Sequence, residues 1–554
     1  MHDLTNLKTS RDRLFNSPLL GVLLLAFLCS SAAAQRREWT IDTWRPLHYD
    51  VAISMNDQIT EIASARTEIS LEVLQPGATL IDLDFGAMPV DSVLVSGAPA
   101  RFERKPDHLI VSLGHAAQRG DKLKITINYH GQPADGLVFA KDRDGKPAAT
   151  GDNWPNRVHQ WIPCLDFPSA KATVSFTVTA PARETVVANG KFVTMNRSSA
   201  ASAVWRFDET KPIPAYCMVI AVNEGAKIDA KEPNVSPLSF YVPQKDAAYA
   251  PHGFSSAGPA LAFFSQTIAP YPYEKLALII GATRFGGMEN SSAIVFPSTL
   301  FELRANDLMS ARYDIPTRIE EVVAHEIAHQ WFGDSVTEST WADLWLSEGF
   351  ATYFAGLFLE KQEGEPAFRD YMQNAAARYF NYEKQRNLPI HDLETKDLMR
   401  LLNPNNYEKG AWVLHMLRRR LGDEAFFKGL RDYYNEHRES NATTEDLRRA
   451  LEKSSGKNLK EFFARWIYGP GHPVYEWSSV SHGNSLLITI KQVQGGEAFL
   501  DPVPIEITNG QDKQRTMLQP KGKVASITVH PKGQPVSIQI DPDGTLLKEV
   551  VAAN

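Results

Sequence analysis

Cysteine is nearly absent from this chain. There are three in 554 residues, and one of them, Cys29, sits in the N-terminal segment. The other two, Cys164 and Cys217, are too few for a disulfide framework, and their apolar, strand-like surroundings suit buried thiols. An excess of positive charge is missing as well. The formal charge is −7 with no long basic run, which excludes a nucleic-acid footprint and a basic membrane-surface segment. The apolar run from Leu19 to Cys29 falls short of the roughly 18 residues that a spanning helix needs, so no stable membrane anchor is expected. Internal repeats and low-complexity segments are also lacking. What is present is a globular composition, 43% hydrophobic and 22% charged, on a chain long enough for three or four domains.

The first 34 residues read as a targeting segment. Lys8, Arg11 and Arg13 precede the apolar run, and Ser30-Ser31-Ala32-Ala33-Ala34 follows it. That order is the order of a secretory signal, with cleavage expected after Ala34. Leu28, before Cys29, is bulkier than the residue that a lipoprotein signal uses. The mature protein is therefore expected to be exported, periplasmic or secreted.

Residues 35–243 carry a β pattern. Tyr49 to Ser54, Leu123 to Tyr129 and Thr173 to Val178 alternate apolar and polar residues between Gly, Pro and Asp turns. Strands at that spacing without intervening helical periods predict an antiparallel sandwich or saddle. From residue 244 to 476 helical periods dominate, broken by a strand-like Leu276 to Ile280 and by Asn403-Pro404-Asn405-Asn406. Gly469-Pro470-Gly471 ends the helices, and alternation returns over 477–554, a small β-sandwich. The fold class is multidomain α+β.

The chemistry concentrates between Val322 and Phe354. His325-Glu326-Ile327-Ala328-His329 places two imidazoles four residues apart, on one face of a helix, with a carboxylate next to the first. A second apolar-periodic run brings Glu348 back toward them. Two histidines and one glutamate are three ligands for one Zn2+, which leaves a fourth position open, as a catalytic zinc site does and a structural one does not. Glu326 then stands where it can take a proton from water at the metal.

Two further motifs flank this stretch: Gly286-Gly287-Met288-Glu289-Asn290 upstream and Asn406-Tyr407-Glu408-Lys409-Gly410-Ala411 downstream. Together the three resemble the zinc aminopeptidases of the aminopeptidase N family, the gluzincin group that includes leukotriene-A hydrolase. The likeness extends from Arg45 through Trp161 to Asp166 and Val187 to Gly190, and on to Tyr475. It implies a thermolysin-like catalytic domain over 244–476. It also implies that His325, His329 and Glu348 ligate zinc, that Glu326 is the general base, and that Tyr407 donates a hydrogen bond to the oxyanion. Glu289 would pair with the α-ammonium of a peptide, while the backbone beside Gly286, Gly287 and Met288 aligns it. The implied substrates are peptides with a free N-terminus. Asp343 is open to two readings, an orienter of an imidazole or an acid at a helix start. Tyr271, Tyr273 and Phe285 are candidates for the first specificity pocket, with core packing favoured for the two tyrosines.

The chain departs from the family pattern twice. Where many members carry a Gln-x-Glu element as second anchor for the substrate amine, this sequence reads Gly151-Asp152-Asn153-Trp154, so either Asp152 substitutes or that anchor is missing. The β-patterned segment after Tyr475 is also shorter than the helical domain that closes the cleft in many relatives, which predicts a more open cleft. An epoxide hydrolase of the leukotriene-A hydrolase kind and a catalytically silent scaffold or binding relative are the competing readings. The intact set His325, Glu326, His329, Glu348 and Tyr407 speaks against the scaffold.

Overall fold

A computed structural model describes residues 42–230, 237–302, 318–532 and 537–551. The expected signal segment, 1–34, lies outside the described residues.

The N-terminal part is built on an eight-stranded sheet whose centre is formed by β1 (Trp44–Met55), β2 (Ile62–Val73) and β3 (Ala172–Pro181). Tyr49 of β1 lies opposite Ile69 in the antiparallel pair with β2 and opposite Val174 in the parallel pair with β3. All three are fully buried, because strict alternation keeps paired positions on one face. Smaller sheets of four and three strands complete this part. Cys164 and Cys217 are both buried, as expected.

The sequence pattern ends the N-terminal domain at residue 243, and the hydrogen bonding divides the chain differently. β4 (Gly225–Asp229) and β5 (Leu238–Pro243) form one sheet with β6 (Leu276–Gly281) and β7 (Ala293–Pro297). β5 pairs parallel with β6, so both early strands share a sheet with the strands that follow residue 243. Their alternation is the same in either sheet, so the local pattern carries no sign of the partner.

Four helices complete the frame of the site: α1 (Ile319–His329), α2 (Trp345–Glu363), α3 (Glu365–Glu383) and α4 (Gly410–Leu421). The middle of α2 is buried on every side, unlike an amphipathic surface helix. It crosses α4 through two glycines: a Cβ on Gly349 would lie 2.9 Å from the Gly410 Cα. That close approach ties the turn after Glu348 to the segment just after Tyr407. Among the described residues no helix is long and apolar enough to cross a membrane.

The C-terminal part is a sandwich of a four-stranded and a three-stranded sheet, beginning with the strand Val474–His482. It shares a core with the helices rather than hanging free. Phe499 packs on Trp466 at 4.6 Å between ring centroids, and the Trp466 indole N–H donates to Asp501 at 2.8 Å.

His415 of α4 is buried against Phe368 and Trp412. Burial and then the charges of Arg419 and Arg418 push its pKa down to about 3. Below about pH 6.5 the unfolded chain binds a proton that the folded protein excludes, so stability falls as the pH drops from about 6.5 toward 3. The expected loss is on the order of a few kcal/mol. In chelator-treated protein, the urea midpoint of His415→Gln should fall less than that of the wild type between pH 7 and pH 4. An equal fall in both proteins rules out this contribution.

Candidate active site

α1 begins just after Arg318, carries Glu320 and Glu321 in its first turn, where carboxylates suit the helix dipole, and ends with His329. His325 and His329 share one face, and α2 returns Glu348 opposite them. His325 Nε2 and His329 Nε2 lie 3.2 and 3.3 Å from Glu348 Oε2, and 3.0 Å from each other. Ligand bonds of about 2.0–2.1 Å in a tetrahedral arrangement put donors roughly 3.3 Å apart. Both the spacing and the two-histidine, one-carboxylate donor set therefore fit a single zinc ion. With Nε2 facing the metal, His329 Nδ1–H donates to the Phe332 carbonyl at 3.2 Å, and the Ser347 hydroxyl lies 3.0 Å away. A hydrogen bond at the far nitrogen fixes the tautomer and the ring plane.

Asp343 takes no part in that orientation. Its Oδ1 accepts from the Thr444 hydroxyl at 2.7 Å and lies 3.4 Å from His391 Nδ1. Ser347 and the Phe332 carbonyl do the orienting instead, and no spacing rule in the sequence singles them out.

Burial opposes charge on His329, yet the carboxylate of Glu348 pushes its pKa up to about 10. Burial also works against the charge on Glu348, but the His329 charge and the two imidazole hydrogen bonds hold it down at about 2. The metal-free site thus keeps an ion pair, whose proton a cation would displace.

Glu326 is only 6% exposed and faces the loop that carries Gly287, where a Cβ would collide with the Glu326 carboxyl. Glycine at 287 is therefore a condition for Glu326 to reach its place. The backbone of Met288 forms a two-way bridge with Val295 of β7: Met288 N donates at 2.7 Å and Val295 N at 2.9 Å. Gly286 to Asn290 thus extends the sheet edge along the cavity wall. Glu289 places a carboxylate oxygen within 4.8 Å of the carboxylate of Glu326 and a ring nitrogen of His329. Burial, opposed by the His329 charge, raises the Glu289 carboxyl to about 7.

Gln330, which no sequence motif singles out, locks this arrangement. Its amide donates to the Glu289 carbonyl at 2.7 Å and to Asp334 at 2.8 Å. Its oxygen accepts from the Ser292 N–H at 2.8 Å and from the Tyr271 hydroxyl at 3.0 Å. The one sequence sign of it is its position next to His329. Tyr271 and Tyr273 are packing residues, whereas Phe285 lines the cavity.

Tyr407 lies in a wide turn, Asn405–Lys409, closed by a bond from Lys409 N to Pro404 O at 2.9 Å. An i→i+5 turn of this kind inserts a residue and rotates the neighbouring side chains about the helix axis. Here it lays the Tyr407 ring parallel to that of His325, with 5.9 Å between centroids.

Asp152 lies outside the cavity. Arg157 Nη2 pairs with its Oδ2 at 3.0 Å and Arg284 Nε at 3.2 Å, while the Thr283 hydroxyl donates to Oδ1 at 3.0 Å. A carboxylate already matched by two guanidinium groups is not a spare partner for an ammonium. Of the two readings of Asp152, this geometry supports the one without a second anchor there. Asp152 instead holds the loop that leads into Phe285 and Gly286, and Trp154 is the residue that reaches the cavity wall.

The cavity measures about 580 Å³, and it is lined by all nine site residues named from the sequence: Gly286, Gly287, Met288, Glu289, His325, Glu326, His329, Glu348 and Tyr407. Thr352, Glu321, Arg378, Asn381 and Glu408 also line it. A pocket of this size takes a few residues of a peptide.

Residues 45–217 match the family model described as the peptidase M1 N-terminal domain, and residues 253–466 match the peptidase family M1 domain. Together they span well over half of the chain. The tricorn protease-interacting factor F2 of Thermoplasma acidophilum is 28% identical over 80% of this chain and 56% of its own length. A probable aminopeptidase 2 of Sulfurisphaera tokodaii is 31% identical over 71% of this chain and 50% of that protein. The glutamyl aminopeptidase of Rattus norvegicus is 27% identical over 81% and 50%. The chain thus spans about half the length of the curated relatives it matches. A crystal structure of an M1 zinc metallopeptidase from Deinococcus radiodurans shares the fold, with a TM-score of 0.64 at 23% identity, over 78% of this chain and 96% of that one.

Proposed function

The chain belongs to peptidase family M1, and on that premise we propose that it is a zinc aminopeptidase that removes single residues from the free N-terminus of peptides. The observation that carries this reading is the placement of Glu289. A buried carboxylate beside Glu326 and His329 lines the cavity, where an α-ammonium would make a charge-assisted bond that a blocked N-terminus cannot make.

Bound at His325, His329 and Glu348, zinc supplies a Lewis acid that polarises the scissile carbonyl and lowers the pKa of water to about 7. The remaining steps belong to this chain's side chains. Glu289 fixes the amine, and the sheet-edge backbone at Met288 aligns the first peptide unit. The bond to be cut is thereby held one residue from the amine. Glu326 takes a proton from the attacking water at its carboxylate and returns it to the leaving amine. The Tyr407 hydroxyl donates to the oxygen that becomes negative in the tetrahedral state.

The test compares aminoacyl fluorogenic substrates with free and N-acetylated amines, each with and without a zinc chelator. Free-amine substrates should be cleaved and acetylated ones should not, with activity lost on chelation. Equal cleavage of both series overturns the aminopeptidase reading. Glu289→Ala should raise KM for free-amine peptides by about tenfold or more. Unchanged kinetics would remove Glu289 from amine recognition.

Export is also proposed, on the charged, apolar and small-residue order of residues 1–34. N-terminal sequencing of the protein recovered from an exporting host should begin at Gln35, and a start at Met1 contradicts it.

A further inference from the structure

One end of the active-site cavity carries charged groups that peptide-bond cleavage does not use. α1 runs along the cavity. Glu289 sits at its His329 end, and Glu321 lies two turns away, four residues before His325 and on the same face. Eight residues of helix separate Glu321 from His329 by about 12 Å. A peptide held by its amine at Glu289 and cut at the metal must therefore continue toward Glu321.

Two other elements close that end. Arg378 of α3 lies 2.9 Å from Glu408, the neighbour of Tyr407, through Nε and Oε1. Thr352, one turn beyond Glu348 on α2, is 4% exposed, and its hydroxyl has no hydrogen-bond partner among the described residues. The Tyr371 hydroxyl donates to the Thr352 carbonyl at 3.0 Å, which leaves the Thr352 side chain as a vacant polar group on this wall.

The charges do not balance. Glu408 is matched by Arg378 at 2.9 Å, whereas Glu321 forms no ion pair with any described residue, its carboxylate being met by the backbone N–H of Arg318 and by the more distant charges of Arg318 and Arg378. The nearby guanidinium of Arg318 pairs with Glu363 at 2.7 Å and reaches Glu320 at 3.6 Å. Two carboxylates therefore face the cavity against one guanidinium. We infer that the Glu321, Thr352, Arg378 and Glu408 end of the cavity receives the side chain of the second substrate residue and selects lysine or arginine there. The inference rests on the aminopeptidase reading and adds to it a class of substrate, peptides with a basic second residue.

The physical reasons agree. Burial raises the Glu321 carboxyl to about 7 and that of Glu408 in the same direction, so charge on either acid is costly although both line the cavity. An arriving ammonium or guanidinium would offset that penalty and find in the Thr352 hydroxyl a further acceptor. A second-residue carboxylate would meet the same two acids and be repelled. Arg378, already matched by Glu408, offers it no surplus cation.

The experiment measures kcat/KM for Ala-Lys-Ala, Ala-Ala-Ala and Ala-Glu-Ala with the zinc-loaded protein. The lysine peptide should exceed the alanine peptide by about tenfold, and the glutamate peptide should fall below both. In Glu321→Gln the lysine-to-alanine ratio should shrink toward one, and in Glu321→Lys the order of the lysine and glutamate peptides should reverse. Each ratio is taken within one preparation, so loss of folded or metal-loaded protein cancels. Glu408→Gln provides a second, independent lowering of the ratio. Equal rates for the three peptides in the wild type, or a ratio that survives in Glu321→Gln, overturn this inference while the aminopeptidase reading stands. Failure to cleave any of the three overturns both.

Discussion

Replacing Glu326 by glutamine is expected to leave a folded protein with one zinc per chain and to lower kcat by about 10²–10⁴-fold or more. The argument starts from geometry. Glu326 is adjacent to His325 but stands outside the set of His325, His329 and Glu348 atoms that converge for a metal. Glutamine has the same volume, so the tight fit against Gly287 is kept. What disappears is the carboxylate basicity that takes the proton of the attacking water, since an amide oxygen is too weak a base. Of the two groups placed within 4.8 Å of this carboxylate, Glu289 is assigned to the substrate amine and His329 to the metal. Elemental analysis beside steady-state kinetics decides the matter. A variant that has lost its zinc makes Glu326 a ligand, and one that turns over at the wild-type rate makes it a bystander.

Tyr407→Phe is expected to lower kcat by about 10²–10³-fold with little change in KM. The hydroxyl is proposed to act where charge develops, so its loss should be felt in the transition state and hardly in the bound substrate. Phenylalanine keeps the parallel stacking on His325, which separates loss of the donor from loss of packing. The wide turn at Asn405–Lys409 and the glycine contact between α2 and α4 hold the ring in place from both sides. A rise in KM at constant kcat would instead assign Tyr407 to substrate binding.

These two expectations differ in what carries them. Glu326 stands on a helix whose spacing any reader of the sequence can see. Tyr407 lies on a segment about eighty residues further on, and the crossing of α2 with α4 brings it to His325. That crossing depends on the absence of two side chains, at Gly349 and Gly410.

The sequence alone determined what is local or periodic. The four-residue spacing of His325 and His329 and the alternation of the strands both come from short-range geometry. So does the order of three parts, β, mainly helical and β. The resemblance carried Glu289 and Tyr407 across longer gaps, because the motifs around them are specific. Tertiary structure decided the rest. It moved β4 and β5 into the catalytic sheet, since a strand's partner is chosen by the neighbour that covers it and not by its own alternation. It engaged Asp152 with Arg157 and Arg284, the second of these 132 positions away. It made Gln330 the tie between helix and sheet edge, and it left Glu321 facing the cavity near the ion pair of Arg378 and Glu408. Charge pairing between distant positions has no period and no spacing rule. Which carboxylate is matched and which one waits for a substrate depends on how the helices pack.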